Sequence, residues 1–366
     1  MGKVGDNMRI LQIIPIINIG GAQTMCENLC YGLKKIDKSN TIEIVSFYDA
    51  ESGITNRLEN NNFKIHYLGK HKGPDIKMFV KLVKVIREFK PDVIHTHLYA
   101  LEYVFPALKI SHLKNVKLIH TMHSVADKEN SKRIIRFQRK LFRSRKVIPI
   151  SISEEVQNTV SAVYDIDISW SPIIYNGIPL EKCVSKKNYS KRGNILHIGR
   201  FVDVKNHQFL IKLFKKVLDK YDGNLTLTLV GEGPLENNIK NMTKELNINN
   251  NVVFLGAQKD CYSLFEKSDL FVLTSKYEGM PMTVIEAMGS GVPCIVSNVG
   301  GLKDMILDGK NGVLCSNEND FFNAIIDLLN DDQKRKKMGL SAIRDSKKYS
   351  NITMANNYYK LYKGDN

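Results

Sequence analysis

At 366 residues, 43% hydrophobic and 25% charged, the chain has the make-up of a globular protein and is too long for one ordinary domain of about 150 residues, which suggests two. Lys and Arg number 53 against 38 Asp and Glu, a net charge of +15 that favours polyanionic partners: anionic membrane, nucleic acid or phosphorylated ligands. The six cysteines (Cys26, Cys30, Cys183, Cys261, Cys294, Cys315) form no C-x-x-C pair, which argues for reduced thiols in a cytosolic protein and against a zinc site.

The apolar run Ile10 to Ile19 is broken by Gln12, Pro15 and Asn18, and a membrane span needs about 20 apolar residues, so neither a span nor a secretory signal is expected. Met8–Ile14 reads as a buried strand. The turn Asn18-Ile19-Gly20-Gly21 then leads into a helix over Ala22–Lys35, the opening of a doubly wound sheet. Strand-like runs follow at Thr41–Phe47, Lys64–Leu68, Val93–His97, Val116–His120 and Val147–Ser151, each separated by a helix-length segment. Lys182–Gly193 is polar, lysine-rich and unpatterned and reads as a linker, after which the alternation restarts. Asn194–Gly199, Leu225–Gly231, Val252–Gly256, Leu270–Thr274, Val292–Ser297 and Gly312–Cys315 form the second set of strands. The expected fold is α/β, with two tandem Rossmann-like domains facing a central crevice: residues 1–180, joined by a C-terminal helix over about 350–366, and residues 181–349. Tyr358, Tyr359, Leu361 and Tyr362 give that last helix the apolar content to pack back on the N-terminal domain.

The most informative stretch is Thr274–Gly301, a strand, loop, helix, strand unit framed by Glu278 and Glu286. In the loop Glu278-Gly279-Met280-Pro281, glycine permits close backbone approach and proline suits a first helical turn. Backbone N–H groups at that helix start make an anion site, and Glu286 lies about one turn further in. Amides for phosphate together with carboxylates for hydroxyls suit a nucleotide-sugar. At the end of the second half's first strand, Gly199-Arg200 with Lys205 can clamp phosphate oxygens and neutralise a departing diphosphate; the alternative is a solvated basic loop. Gly20-Gly21 offers amides at the equivalent turn of the first half, or glycine there serves turn geometry alone. No G-x-G-x-x-G fingerprint is completed at either turn, which counts against a dinucleotide dehydrogenase.

His95, His97, His120 and His123 cluster near two strand ends without ligand spacing, so the first three read as structural, and His123, furthest beyond its strand, as the one facing the crevice. Asp165-Ile166-Asp167 is a D-x-D string whose polar setting favours a turn over a metal site. Residues 132–146 hold eight basic residues, with Ile134, Phe137, Leu141 and Phe142 on one helical face. That face either packs on its own domain or meets an anionic membrane surface. Nucleic acid is not expected, since no stacking pattern or base-reading module accompanies the charge.

With these residues assembled, the chain resembles the retaining glycosyltransferases of the GT-B fold, closest to glycosyltransferase family 4, over nearly its full length. The resemblance rests on Gly20-Gly21-Ala22-Gln23, His120-Thr121-Met122-His123, Ser151-Ile152-Ser153-Glu154 and Tyr175-Asn176-Gly177-Ile178 in the first half. In the second it rests on Gly199-Arg200 with Lys205, Val230-Gly231-Glu232-Gly233-Pro234, Glu278 through Glu286 with Ala287-Met288, and Gly300-Gly301. Ser124 stands where many relatives have Gly or Asp.

The resemblance implies that Glu286 binds ribose hydroxyls and Glu278 the donor sugar, with Gly279, Met280, Pro281, Met282 and Thr283 around the diphosphate. Arg200 and Lys205, next to Gly199, stabilise leaving-group charge, Gly20 and Gly21 close over the phosphates, and His123 contacts the donor near the reacting carbon. It further implies transfer from a nucleotide diphosphate-sugar, most simply a UDP-sugar, to a saccharide or lipid-linked saccharide acceptor in bacterial surface polysaccharide synthesis. Configuration is retained by same-face attack, and neither metal nor cofactor is needed. The expected place of action is the cytoplasm, with peripheral contact at the inner membrane face. Two other readings share the fold: a nucleotide-sugar 2-epimerase and a non-catalytic nucleotide-sugar-binding subunit.

Overall fold

The computed structural model describes residues 7–73, 75–126, 131–190, 193–258 and 260–364. The chain divides into two compact units: one ends at Gly177 and resumes at Asn351, and the other is Ile178–Ser350.

In the first unit, β1 (Arg9–Ile14), β2 (Thr41–Ser46), β3 (Lys64–Tyr67), β4 (Val93–His97), β5 (Lys117–Met122) and β6 (Ile148–Ser151) form one sheet in the order β3-β2-β1-β4-β5-β6. Every pairing is parallel, with Ile10 opposite Ile42 on one side and Val93 on the other. The second unit contains β7 (Asn194–Ile198), β8 (Thr226–Val230), β9 (Val252–Phe254), β10 (Leu270–Leu273), β11 (Cys294–Ser297) and β12 (Gly312–Cys315), ordered β12-β11-β10-β7-β8-β9. Counted from each unit's own first strand, the two orders are the same. Strands covered by helices on both faces must be apolar on both, which is why they read as continuous runs: Leu270, Phe271, Val272 and Leu273 are all fully buried.

In each sheet the strand order reverses direction beside the first strand, between β1 and β4 and between β7 and β10. Loops leaving the carboxyl ends there open a crevice, the favoured ligand position in such sheets. β5 runs two residues past its expected end, so His123 follows the strand directly.

The final helix, Asn351–Lys363, belongs to the first unit. Met354, Ala355, Tyr358 and Tyr362 enter the core formed by Met25, Cys26, Leu29 and Leu33 of the helix Gly21–Ile36. The ammonium of Lys117 donates to the carbonyls of Leu361 (2.8 Å) and Tyr362 (3.0 Å), satisfying groups that a helix end leaves without intrahelical partners.

One sequence reading is corrected. Lys182–Gly193, taken for an unpatterned linker, is held on the second unit through its described residues. The buried Lys186 ammonium donates to the Ser268 carbonyl at 2.6 Å and lies 3.4 Å from the Asp269 carboxylate. Tyr189 donates to the Gly291 carbonyl at 3.0 Å and accepts from Arg335 through its own carbonyl at 2.7 Å. Polarity there reflects buried pairing, which a hydropathy pattern cannot distinguish from solvation. For the basic helix, Lys132–Arg143, one of the two open alternatives holds. Leu141 and Phe142 are buried, and Phe142 meets Tyr164 edge to face at 4.9 Å, so the apolar face is occupied by its own domain. The exposed part is a basic surface formed by Lys132, Arg133, Arg136, Arg139, Lys140 and Arg143.

The D-x-D string is a turn. Asp165 adopts a left-handed conformation (φ 53°) after the helix Glu154–Tyr164 and pairs with Arg143 at 3.0 Å, while Asp167 accepts from the backbone N–H of Ser169 at 2.8 Å. No helix among the described residues is long and apolar enough to cross a membrane.

Candidate active site

In the second unit the structure brings Lys205 and Glu278 together across 73 positions of sequence. Gly199 and Arg200 leave β7, a short turn carries Lys205, and its ammonium lies 2.5 Å from Glu278 Oε1. The side chains are 20% and 11% exposed, so the pair is screened from bulk water without being sealed from it. Ser275 donates to the same carboxylate oxygen at 2.6 Å. The flanking loops are joined again by Lys276, which donates to both oxygens of Asp203 at 2.7 Å, and by its backbone N–H on the Val204 carbonyl at 2.8 Å. Arg200 is exposed to solvent.

The glycines named by sequence carry the geometry. Gly231 (φ 137°) lies so close to Gly199 that a Cβ would overlap its carbonyl oxygen. The Gly-x-Gly-Pro turn thereby abuts the Arg200 backbone, with Phe201 N–H donating to the Glu232 carbonyl at 3.0 Å. Gly300 (φ 54°) likewise abuts the Glu278 carbonyl, which also accepts from Gly301 N–H at 3.2 Å. Two carboxyl-end turns therefore brace the two loops that bear the cation and the carboxylate.

Beyond Glu278 the loop is tight: Gly279, Met280, Pro281 and Met282 are buried. Pro281 caps the helix Met282–Gly289 from just outside it, one position earlier than a first-turn proline. Thr283 and Glu286 are the partly exposed members, three positions apart and hence on one face. Burial, reinforced by Asp260, pushes the Glu286 carboxyl up to about 8, so near neutrality it is largely protonated. Around it, Cys183 and Cys261 are each pushed up to about 12, and Tyr262 is raised too, by burial first and by the Glu286 charge second. The sequence reading did not select Ser275, Asp260 or Tyr262. Nothing in their local pattern separates them from ordinary loop residues.

In the first unit, Gly20 precedes the helix Gly21–Ile36, with Thr24 N–H donating to its carbonyl at 2.9 Å and Gln23 donating to the Ile16 carbonyl at 3.3 Å. Gly20 has extended backbone (φ 179°), so the turn does not require glycine for its dihedral angles. His123, after β5, is half-buried, with Nε2 3.0 Å from Nδ1 of His97. Burial lowers His123 to about 4 and His120 to about 3, and holds His95 and His97 well below the usual histidine range. The four form a neutral cluster.

The comparisons with known proteins bear on the family and the fold. A family model described as Glycosyltransferase Family 4 matches residues 19–182, and one described as Glycosyl transferases group 1 matches residues 181–345. An uncharacterized glycosyltransferase of Methanocaldococcus jannaschii is 30% identical over 293 residues, 72% of this chain and 70% of that one. A UDP-Gal:alpha-D-GlcNAc-diphosphoundecaprenol alpha-1,3-galactosyltransferase of Escherichia coli is 27% identical over 281 residues, 70% of this chain and 71% of its own. Among solved structures, Anabaena HepE in complex with UDP and glucose superimposes with a TM-score of 0.84 at 20% identity, covering 98% of this chain and all of that one. The architecture, two Rossmann-like units with parallel six-stranded sheets, is that of the GT-B enzymes. The chain belongs to the glycosyltransferases, with a family 4 segment followed by a group 1 segment.

Proposed function

We propose that the protein is a retaining hexosyltransferase that moves a sugar from a UDP-sugar to a saccharide or lipid-linked saccharide in bacterial surface polysaccharide synthesis, working in the cytoplasm at the inner membrane face. The observation that carries the reading is the Lys205–Glu278 pair at the strand-order reversal, one loop from a helix start that presents Thr283 and Glu286 on one face. The donors named for the E. coli relative and bound in Anabaena HepE support a uridine nucleotide, and that relative's name supports a diphosphate-linked lipid acceptor.

The diphosphate lies on the amides from Met280 to Thr283, where N–H dipoles favour anions, and Glu286 meets the ribose hydroxyls. Glu278 contacts the donor sugar and places the Lys205 ammonium, while Arg200 swings in to form a bidentate clamp on departing phosphate. Gly20 and Gly21 offer amides to the phosphates, and His123 serves the donor near the reacting carbon. The acceptor hydroxyl attacks on the face the diphosphate leaves, its proton passing to the departing phosphate oxygen. Positive charge focused on the leaving group is the main source of acceleration, and Arg200 and Lys205 supply it without a metal.

The test is a thermal-shift and turnover panel of nucleotide-sugars with and without EDTA. A UDP-sugar should raise the melting temperature, Glu286→Ala should lose that shift, consistent with hydrogen bonds worth about 1–3 kcal/mol, and chelation should leave turnover unchanged. No stabilisation by any nucleotide-sugar would overturn the reading. Isomerised donor in the absence of acceptor would redirect it to an epimerase.

A further inference from the structure

The histidines of the first unit lie in a longer hydrogen-bonded chain that reaches the last helix of the protein. His123 Nε2 is 3.0 Å from His97 Nδ1, and His97 Nε2 is 2.9 Å from Gln12 Oε1. Gln12 Nε2 donates to the Tyr362 hydroxyl at 3.3 Å, and that hydroxyl is 2.7 Å from His95 Nδ1. His95 Nε2 is 2.7 Å from Thr121 Oγ1, which is 2.8 Å from the Tyr358 hydroxyl. Apart from the half-buried His123, every member is buried.

The proton positions along this chain follow from one group. An amide oxygen only accepts, so His97 must carry its proton on Nε2, facing Gln12. Its Nδ1 is then bare and accepts, which requires the proton of His123 on Nε2. At the other end the amide nitrogen only donates. Tyr362 therefore accepts from Gln12 and gives its own proton to His95 Nδ1, leaving His95 to donate from Nε2 to Thr121. The chain is satisfied throughout in one direction. A second proton on His97 would set two donors face to face, and the depressed titration of all four histidines agrees with a neutral chain.

We propose that Tyr362, acting through Gln12 and His97, is a positioning residue that locks His123 in its neutral Nε2–H tautomer and presents Nδ1 as a hydrogen-bond acceptor at the carboxyl end of β5. A hydroxyl can donate or accept, so the direction is set by Gln12, whose nitrogen lies 3.3 Å from Tyr362 and whose oxygen lies 2.9 Å from His97; Tyr362 holds that orientation by accepting from the nitrogen while donating to His95. The C-terminal helix thus acts on the chemistry of a loop more than 200 residues earlier in the chain. What it presents Nδ1 to, a donor-sugar hydroxyl, rests on the functional reading above.

The full chain labelled with 15N in its imidazoles tests this. The His123 signals, assigned by their loss in His123→Asn, should show a protonated Nε2 and a bare Nδ1. In Tyr362→Phe and in Gln12→Leu both signals should move toward intermediate values as the two tautomers mix. Tyr358→Phe, beyond Thr121, should leave them in place. Turnover by Tyr362→Phe should fall about two- to threefold in kcat, the share of the competent tautomer lost, with KM nearly unchanged. A wild-type His123 protonated on Nδ1, or one unmoved by Tyr362→Phe and Gln12→Leu, would overturn the proposal. If His123→Asn instead retains full turnover, the functional reading of His123 fails while the tautomer result stands.

Discussion

At the same place in the same strand order, the first unit sets a neutral cluster and the second sets charge. β4 carries His95 and His97, β5 carries His120 and is followed by His123, and the protons of His95, His97 and His123 are distributed by an amide of β1 and two tyrosines of the last helix. Loops leaving β7 and β10 hold an ammonium against a carboxylate, a solvent-exposed guanidinium and a protonated acid. One topology supports both because the sheet determines only where loops open; what they present is decided by the residues after each strand.

The sharpest way to break this contrast is to remove the charge. Lys205→Ala should lower kcat by about 10²–10³-fold, the scale of losing a preorganised group at a departing anion, whereas His123→Ala should cost about tenfold. Equal losses in steady-state assays would erase the division between the charged and the orienting unit.

Titration separates the units next. Histidines kept neutral make the unfolded chain bind more protons below its usual value of 6.5. Stability should therefore fall as pH drops from about 6.5 toward about 4, through His95, His97, His120 and His123 in one unit and His197 and His207 in the other. Glu286 has the opposite slope. Its folded value of about 8 lies above its ordinary 4.5, so stability declines as pH rises through that window. Glu286→Gln should melt several degrees above the parent at pH 8.5, with the gap narrowing toward pH 5. A gap independent of pH in melting curves would refute the protonated carboxyl.

The smallest expected effect concerns the membrane. With Leu141 and Phe142 buried, only the basic face of Lys132–Arg143 is left to meet anionic lipid, at about 1 kcal/mol per residue near the surface. Replacing Arg133, Arg136, Arg139 and Lys140 with Gln should reduce co-sedimentation with anionic vesicles and leave turnover on a soluble acceptor intact. Undiminished co-sedimentation would remove this helix from the account.

All twelve strands found among the described residues lie where apolar runs between turn residues predicted them, within a few residues at their ends. Glu278, Glu286, Arg200 and Lys205 stand out in the sequence as candidates by residue type and spacing, and the structure brings Lys205 and Glu278 together. His123 was legible as a candidate, whereas Gln12, Ser275 and Tyr362 were not, since each looks locally like an ordinary strand, loop or helix residue. Lys186 was misread because a lysine buried against Asp269 has the same one-letter context as a solvated one.

Sequence by itself determined the alternation of strand and helix, the two repeats of the sheet and the glycine turns, because hydrophobic period and backbone freedom are properties of a few neighbouring residues. Only tertiary structure decided which groups share a proton or a charge. Gln12 meets Tyr362 across 350 positions and Lys205 meets Glu278 across 73, and no local pattern encodes a hydrogen bond whose two ends are brought together only when the sheets are built.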